Sequence, residues 1–136
     1  NQQPCRHNLN YWRFGDYLGI GAGAHGKITD SDNNSIFRYW NIKHPKHYLR
    51  ANTHYQAEIK TVTQDQLPGE FMLNAVRLRE PILFSHFEAS TGLHRKVLEQ
   101  QLLLLEKQEL IAVNSNGFEL TARGLQFADD AVMEFM

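Results

Sequence analysis

HNLNYWRFGDYLGIGAGAHG, residues His7–Gly26, is the stretch around which the rest of the chain is organised. It joins a His-Asn pair and an adjacent Tyr-Trp to a run of closely spaced glycines. Gly19, Gly21 and Gly23 fall on every second position, and Gly26 closes the run. On a strand, where side chains alternate between faces, these three glycines share one face and leave it bare. A bare face lets another backbone or a flat ligand approach closely. The opposite face carries Ile20, Ala22 and Ala24, which suit packing under a helical layer. The pattern predicts a strand over Tyr17–Gly23. His25 follows at its end, where ligand-facing groups lie in α/β sheets.

Gly21-Ala22-Gly23-Ala24-His25-Gly26 also matches GxGxxG in form. The dinucleotide fingerprint, however, needs a helix directly after the glycines, so that the pyrophosphate meets a helix N-terminus. Here Lys27-Ile28-Thr29 and an Asp/Asn cluster follow, which read as strand and turn. A Rossmann site is disfavoured on that ground.

Outward from this stretch, Asn10–Phe14 is aromatic-rich and reads as the beginning of a strand. Lys27–Thr29 and Ser35–Trp40 read as two strands joined through Asp30–Asn34, a hairpin. Pro45 suits the first turn of a helix from about His44 to Ala51, and a weakly patterned helix is expected around Tyr55–Val62. The second half is more regular. Phe71, Ala75 and Leu78 mark a helix from Gly69 to about Arg79. Phe84–Ser90 is a short helix ended by Thr91-Gly92. Leu93–Glu109 is longer, with Leu98, Leu102 and Leu105 on one side. Asn114–Gly117 between Ile111–Val113 and Phe118–Leu120 is a hairpin signal. Thr121 suits the N-cap of a last helix whose stripe is Leu125, Ala128, Val132 and Phe135. Three helices, a β-hairpin and a helix make a winged-helix-like order.

The net charge of −1 over 136 residues conceals an asymmetry. Residues 1–66 hold eight Lys/Arg against five Asp/Glu, and residues 67–136 hold six against ten. Five of the seven histidines lie in the first part. The boundary is expected near Gln64–Gly69, giving domains 1–66 and 67–136. There is no run of eighteen apolar residues and no apolar core near the N-terminus, so neither a transmembrane helix nor a signal peptide is read. Cys5 is the single cysteine, which excludes an internal disulfide or a cysteine-held cluster within this chain. A cytoplasmic location is the default expectation.

HNxxYW followed by DYLGIGAGAHG resembles the radical-SAM proteins of the oxygen-independent coproporphyrinogen III oxidase-like family, and more closely its haem-chaperone branch. The likeness continues through Lys43-His44-Pro45 to Tyr48 and again at EFMLNAVRLRE, Glu70–Glu80. The family's CxxxCxxC, which holds a [4Fe–4S] cluster, is absent. The resemblance therefore implies a C-terminal part, cut before the last barrel strand. The expected fold is α+β: terminal strands of a radical-SAM barrel with an added hairpin, then a winged-helix-like domain.

The resemblance makes haem the expected ligand and haem-acceptor proteins the expected partners. In the complete protein it implies a [4Fe–4S] cluster and S-adenosylmethionine as well. His7 is the candidate ligand to haem iron, since imidazole is a usual axial donor. Tyr11 and Trp12 could stack on the porphyrin, and Asn8 could fix the imidazole tautomer. The competing reading is an ordinary loop histidine beside a half-buried aromatic pair. Gly21, Gly23, Ala24 and His25 form the expected cofactor- or substrate-facing strand end, with a satisfied, buried histidine as the alternative for His25.

His44 and His47 have the i, i+3 spacing that a metal could bridge, but no third ligand supports them and a solvent-facing pair is preferred. Lys43 and Lys46 could contact porphyrin propionates or form a solvated helix end. No catalytic residue is assigned. His94, Arg95 and Lys96 open the helix that would read DNA in a winged helix. The second half is acidic, with Glu99, Glu106 and Glu109 along that same helix, so nucleic-acid binding is not expected. The leading function is haem binding and transfer by the parent protein. Oxygen-independent coproporphyrinogen III oxidation is the alternative enzyme, and a ligand-free winged-helix interaction module is the third reading. Peripheral membrane association is left open.

Overall fold

The computed structural model describes residues 6–136, with side chains from Asn8 onward. The fold is α+β, with two small antiparallel sheets. It forms two compact units. Asp16–Thr63 is one, and residues 6–15 group with Gln64–Met136 in the other. The halves expected from composition, 1–66 and 67–136, differ from this division in residues 6–15 and 64–66, which group with the later part of the chain.

The Asp16–Thr63 unit is a three-stranded sheet in the order β1-β2-β3, formed by His25–Asp30, Ser35–Asn41 and Gln56–Val62. The expected hairpin is β1–β2, in register from His25 opposite Trp40 to Asp30 opposite Ser35. Its turn is tied by the Asp30 carboxylate, which accepts from the Asp32 and Asn33 N–H groups and from the Asn33 amide. Helix α2, Pro45–Arg50, starts at the proline as expected, since proline needs no hydrogen bond from its missing N–H there.

The stretch Tyr55–Val62 is a strand, β3, rather than a helix. Ile59, Thr61 and Val62 favour extended backbone. Because β3 lies at the sheet edge with Gln56–Thr61 all exposed, it carries no one-sided apolar pattern.

The glycine stretch is not a regular strand. Tyr17 forms a single antiparallel bridge with Lys27, and from there the chain runs beside β1 before turning at Gly21 and Gly23. Those two have φ of 110° and 70°, values that break a strand and that residues with a Cβ rarely adopt. The bare glycine face does serve the close approach read from the sequence, because a Cβ on Gly19 would collide with the His25 carbonyl. His25 therefore opens β1 instead of closing the preceding strand.

The other unit begins with α1, Arg6–Trp12, where the aromatic cluster Asn10–Phe14 had suggested a strand. The helix is closed by Phe14 at φ 61°, with the Gly15 N–H donating to the Asn10 carbonyl. Phe14 is buried, with its ring edge-on to Phe71 at 5.5 Å. Helix α3, Leu67–Ala75, continues as a 3-10 turn over Val76–Leu78. A short strand β4, Ile82–Leu83, and helix α4, Phe84–Thr91, follow. Gly92, at φ 70°, caps α4.

A 3-10 turn at Arg95–Leu98 leads into α5, Glu99–Lys107, where Leu98, Leu102 and Leu105 are buried as their spacing predicts. Strands β5, Ile111–Val113, and β6, Gly117–Leu120, form the expected hairpin, and β4 adds to it in the order β4-β6-β5. Phe71 and Phe87, with rings 5.3 Å apart, and Phe118 at the heart of the small sheet are all but inaccessible to solvent.

The last helix is two, α6 over Ala122–Gln126 and α7 over Ala128–Met133, broken at Phe127. Thr121 caps the first as expected, accepting from the Gly124 N–H. The break rotates Leu125 out of the stripe and leaves it exposed, while Ala131, Val132 and Phe135 are buried.

Candidate functional site

Helix α1 carries the HNxxYW residues. Asn8, Tyr11 and Trp12 stand at i, i+3 and i+4, so the helix repeat puts them on one side. His7 lies within α1, one turn before Tyr11; its side chain is outside the described residues, as is Cys5. Asn8 is exposed, and Tyr11 and Trp12 are each half-buried. Two aromatic rings partly held by the protein and partly open to solvent can present an apolar edge to a flat ligand while keeping a fixed orientation.

The glycine segment is the second cluster, and its geometry comes from side chains to which the sequence reading assigns no role in holding it. The Tyr39 hydroxyl accepts from the Gly19 N–H at 2.8 Å, and the Tyr48 hydroxyl accepts from the Gly21 N–H at 3.1 Å. The Asn41 amide donates to the Gly19 and Gly21 carbonyls, each at 3.0 Å. Gly23 N–H donates to the Ile42 carbonyl, and Asn41 N–H to that of Ala24. Asn41 is almost fully buried, so its amide needs these partners. Three polar side chains thus pin a segment too rich in glycine to hold a shape alone. The available signal was the period-two placement of Tyr39 and Asn41 on β2, both facing the side from which the glycine run approaches.

A third group lies on the other face of the same sheet. His25 is exposed and sits edge-on to Trp40, with ring centroids 5.6 Å apart. This overturns the buried-histidine alternative. Lys60 lies over the Trp40 ring at 5.5 Å and pairs with Glu58 at 3.0 Å. Gly21, Gly23 and Ala24 lie in the turn just before His25, so the structure does bring those four together.

Asp16 and Lys27 anchor the edge of this unit. Lys27 is buried, and its ammonium donates to the Asp16 carboxylate at 2.9 Å and to the Thr29 hydroxyl at 3.3 Å. Partial burial raises the Asp16 pKa. The hydrogen bonds from Lys27 and from the Thr29 backbone and hydroxyl, with the Lys27 charge, outweigh it and hold the carboxyl below its ordinary range.

His44 and His47 stack at 4.5 Å between centroids and are both exposed. Among the described residues no three His, Cys, Asp or Glu side chains gather to hold a metal ion. No helix among them is long and apolar enough to cross a membrane.

Residues 62–127 match the HemN C-terminal domain family. The chain is similar to the haem chaperone HemW of Haemophilus influenzae, 41% identical over 132 residues that cover 97% of this chain and 34% of the relative. It is 36% identical to the haem chaperone HemW of Escherichia coli, with the same coverage. The chain thus spans about a third of the length of these curated relatives. Among solved structures it is similar to coproporphyrinogen III oxidase (HemN) from Escherichia coli, a radical SAM enzyme. The TM-score is 0.63 at 21% identity, covering 89% of this chain and 28% of that one.

Proposed function

We propose, for a chain that resembles the C-terminal third of the haem chaperones HemW, that its complete protein binds haem and delivers it to acceptor proteins. The observation that carries this reading is the extent of the likeness. It covers 97% of the chain, and so runs through both units rather than through the HemN C-terminal domain alone.

Haem is the cargo in this reading. The His7 imidazole would ligate its iron, Asn8 would hold the ring's tautomer by a hydrogen bond, and Tyr11 and Trp12 would lie against the porphyrin. What supports this is the placement of Asn8, Tyr11 and Trp12 on one side of α1, with both aromatic rings partly accessible. The iron–sulfur cluster and S-adenosylmethionine of the family find no fit here. A cluster of that kind takes several thiolates, and the chain has one cysteine.

The architecture is read in the same way. Leu67–Met136 is winged-helix-like, a reading supported by three helical segments followed by the β5–β6 hairpin and by β4 joining it in the order β4-β6-β5. Its acidic balance suits docking against protein rather than nucleic acid. The extended run beside β1 is read as the edge of a radical-SAM barrel. Leu18 and Ile20, 71% and 86% exposed, support it, since apolar side chains so open to water fit a surface that another element covers. A cytoplasmic protein with no need of a membrane span is the corresponding location.

The test is haem titration of the complete protein. His7→Ala should weaken binding and shift the Soret band, because it removes a group from the iron's coordination sphere. An unchanged affinity and spectrum in that variant would remove His7 from the site and leave His25 as the next candidate.

A further inference from the structure

Strand β3 ends its sheet, and among the described residues no strand pairs with its outer edge. Gln56–Thr61 are all exposed, and Ile59 is 62% accessible. A seven-residue edge with no proline is a template for another strand unless something guards it. The only charges on it are Glu58 and Lys60, of opposite sign and two residues apart.

The hydrogen bonds already made determine which groups this edge offers. Asn41 N–H donates to the Ala24 carbonyl, whereas Ile42 N–H donates to that of Tyr55. Successive residues of β2 therefore turn alternately to β1 and β3, with Ile36, Arg38 and Trp40 turned to β3. Their partners are Val62, Lys60 and Glu58. Those three direct their N–H and C=O groups inward, which leaves those of Ile59 and Thr61 pointing out. The register shift between Trp40 and Asn41 falls opposite Ala57 and marks where the regular edge ends.

We propose that β3 pairs antiparallel with β3 of a second copy of this chain, about a two-fold axis at Ile59. The two Ile59 residues then exchange both backbone bonds, and Thr61 of each copy lies opposite Ala57 of the other. Glu58 of each copy faces Lys60 of the other in the non-hydrogen-bonded positions, where side chains approach most closely. The neighbouring two-fold registers keep the same bonding pattern but set Glu58 against Glu58 or Lys60 against Lys60. Charge thus selects one register among those the backbone allows. An unrelated partner strand would have no reason to match this order of charges, whereas a second copy matches it by symmetry. The sheet becomes six-stranded and its exposed edge is removed. This surface is independent of the haem reading and stands or falls apart from it.

Sedimentation velocity over a concentration series tests it on the complete protein. The unaltered protein should dimerise, and Glu58→Lys or Lys60→Glu should each weaken the dimer by roughly tenfold or more. One substitution turns two cross-strand attractions into repulsions by symmetry. The double variant E58K/K60E restores opposite charges in the same register and should restore dimerisation. Circular dichroism of each variant separates lost pairing from lost folding. A monomer at every concentration, a dimer indifferent to the single reversals, or a double variant that stays as weak as the singles would each overturn the proposal.

Discussion

The Tyr39 hydroxyl accepts the Gly19 N–H at 2.8 Å, and its ring reaches that position by lying across Gly26, where a Cβ would collide with it. A side chain at 26 and the hydrogen bond at 19 are therefore mutually exclusive. Gly26→Ala should destabilise the Asp16–Thr63 unit by about 1–3 kcal/mol, the usual cost of overpacking. Tyr39→Phe removes only the acceptor and should cost about 1 kcal/mol. Urea denaturation of both variants, followed by tryptophan fluorescence, checks the order of the two effects.

The Asp16–Lys27 pair makes this unit acid-sensitive. The folded Asp16 pKa is depressed, so its contribution is complete above the ordinary carboxylate pKa and is lost as pH falls through the lower folded value. Since the Asp16 side chain is 45% exposed, solvent screening keeps that contribution small. Asp16→Asn should flatten the stability curve below about pH 4. Asp16→Ala should cost more at neutral pH, about 2 kcal/mol, because it leaves the buried Lys27 ammonium short of a partner. An Asp16→Asn protein with an unchanged acid limb would show that other carboxylates set it.

Thr121 stabilises the C-terminal region twice. Its oxygen accepts from the Gly124 N–H at 2.9 Å, and its hydroxyl donates to the Glu109 carbonyl at 2.7 Å. Thr121→Ala should cost about 1–2 kcal/mol and Thr121→Ser much less, since serine keeps the hydroxyl. Thermal unfolding of the two variants measures the difference.

Where the sequence was legible, one face of an element was buried. Leu98, Leu102 and Leu105 mark a helix because only that side meets the core, and Asn114–Gly117 marks a turn because its side-chain chemistry is local: the Asn114 carboxamide accepts from Asn116 and Gly117 N–H. Gln56–Val62 was misread because an edge strand exposed on both faces has no period to read. Tyr17–Gly23 was misread for the opposite reason. Its period-two glycines reflect close approach at Gly19 and left-handed backbone at Gly21 and Gly23, and spacing cannot tell these apart. Tyr39, Asn41 and Tyr48 were missed as anchors because they lie 20 to 27 residues from the backbone they hold.

The last prediction separates the aromatic residues of α1 from the iron ligand. Trp12 is half-buried on the same side of α1 as Asn8 and Tyr11, and can offer a porphyrin contact area but no electron pair to iron. Trp12→Ala should therefore lower haem affinity by roughly tenfold, about the worth of one aromatic contact, while leaving the Soret maximum near its original place. His47→Ala is the control. Its ring stacks on His44 at the exposed start of α2, and its loss should move neither affinity nor spectrum. A Soret shift in Trp12→Ala as large as that in His7→Ala would mean that α1 itself is disturbed, and far-ultraviolet dichroism of the same samples would then show lost helix. A loss of affinity in His47→Ala with none in Trp12→Ala would move the porphyrin contact away from α1 and toward α2.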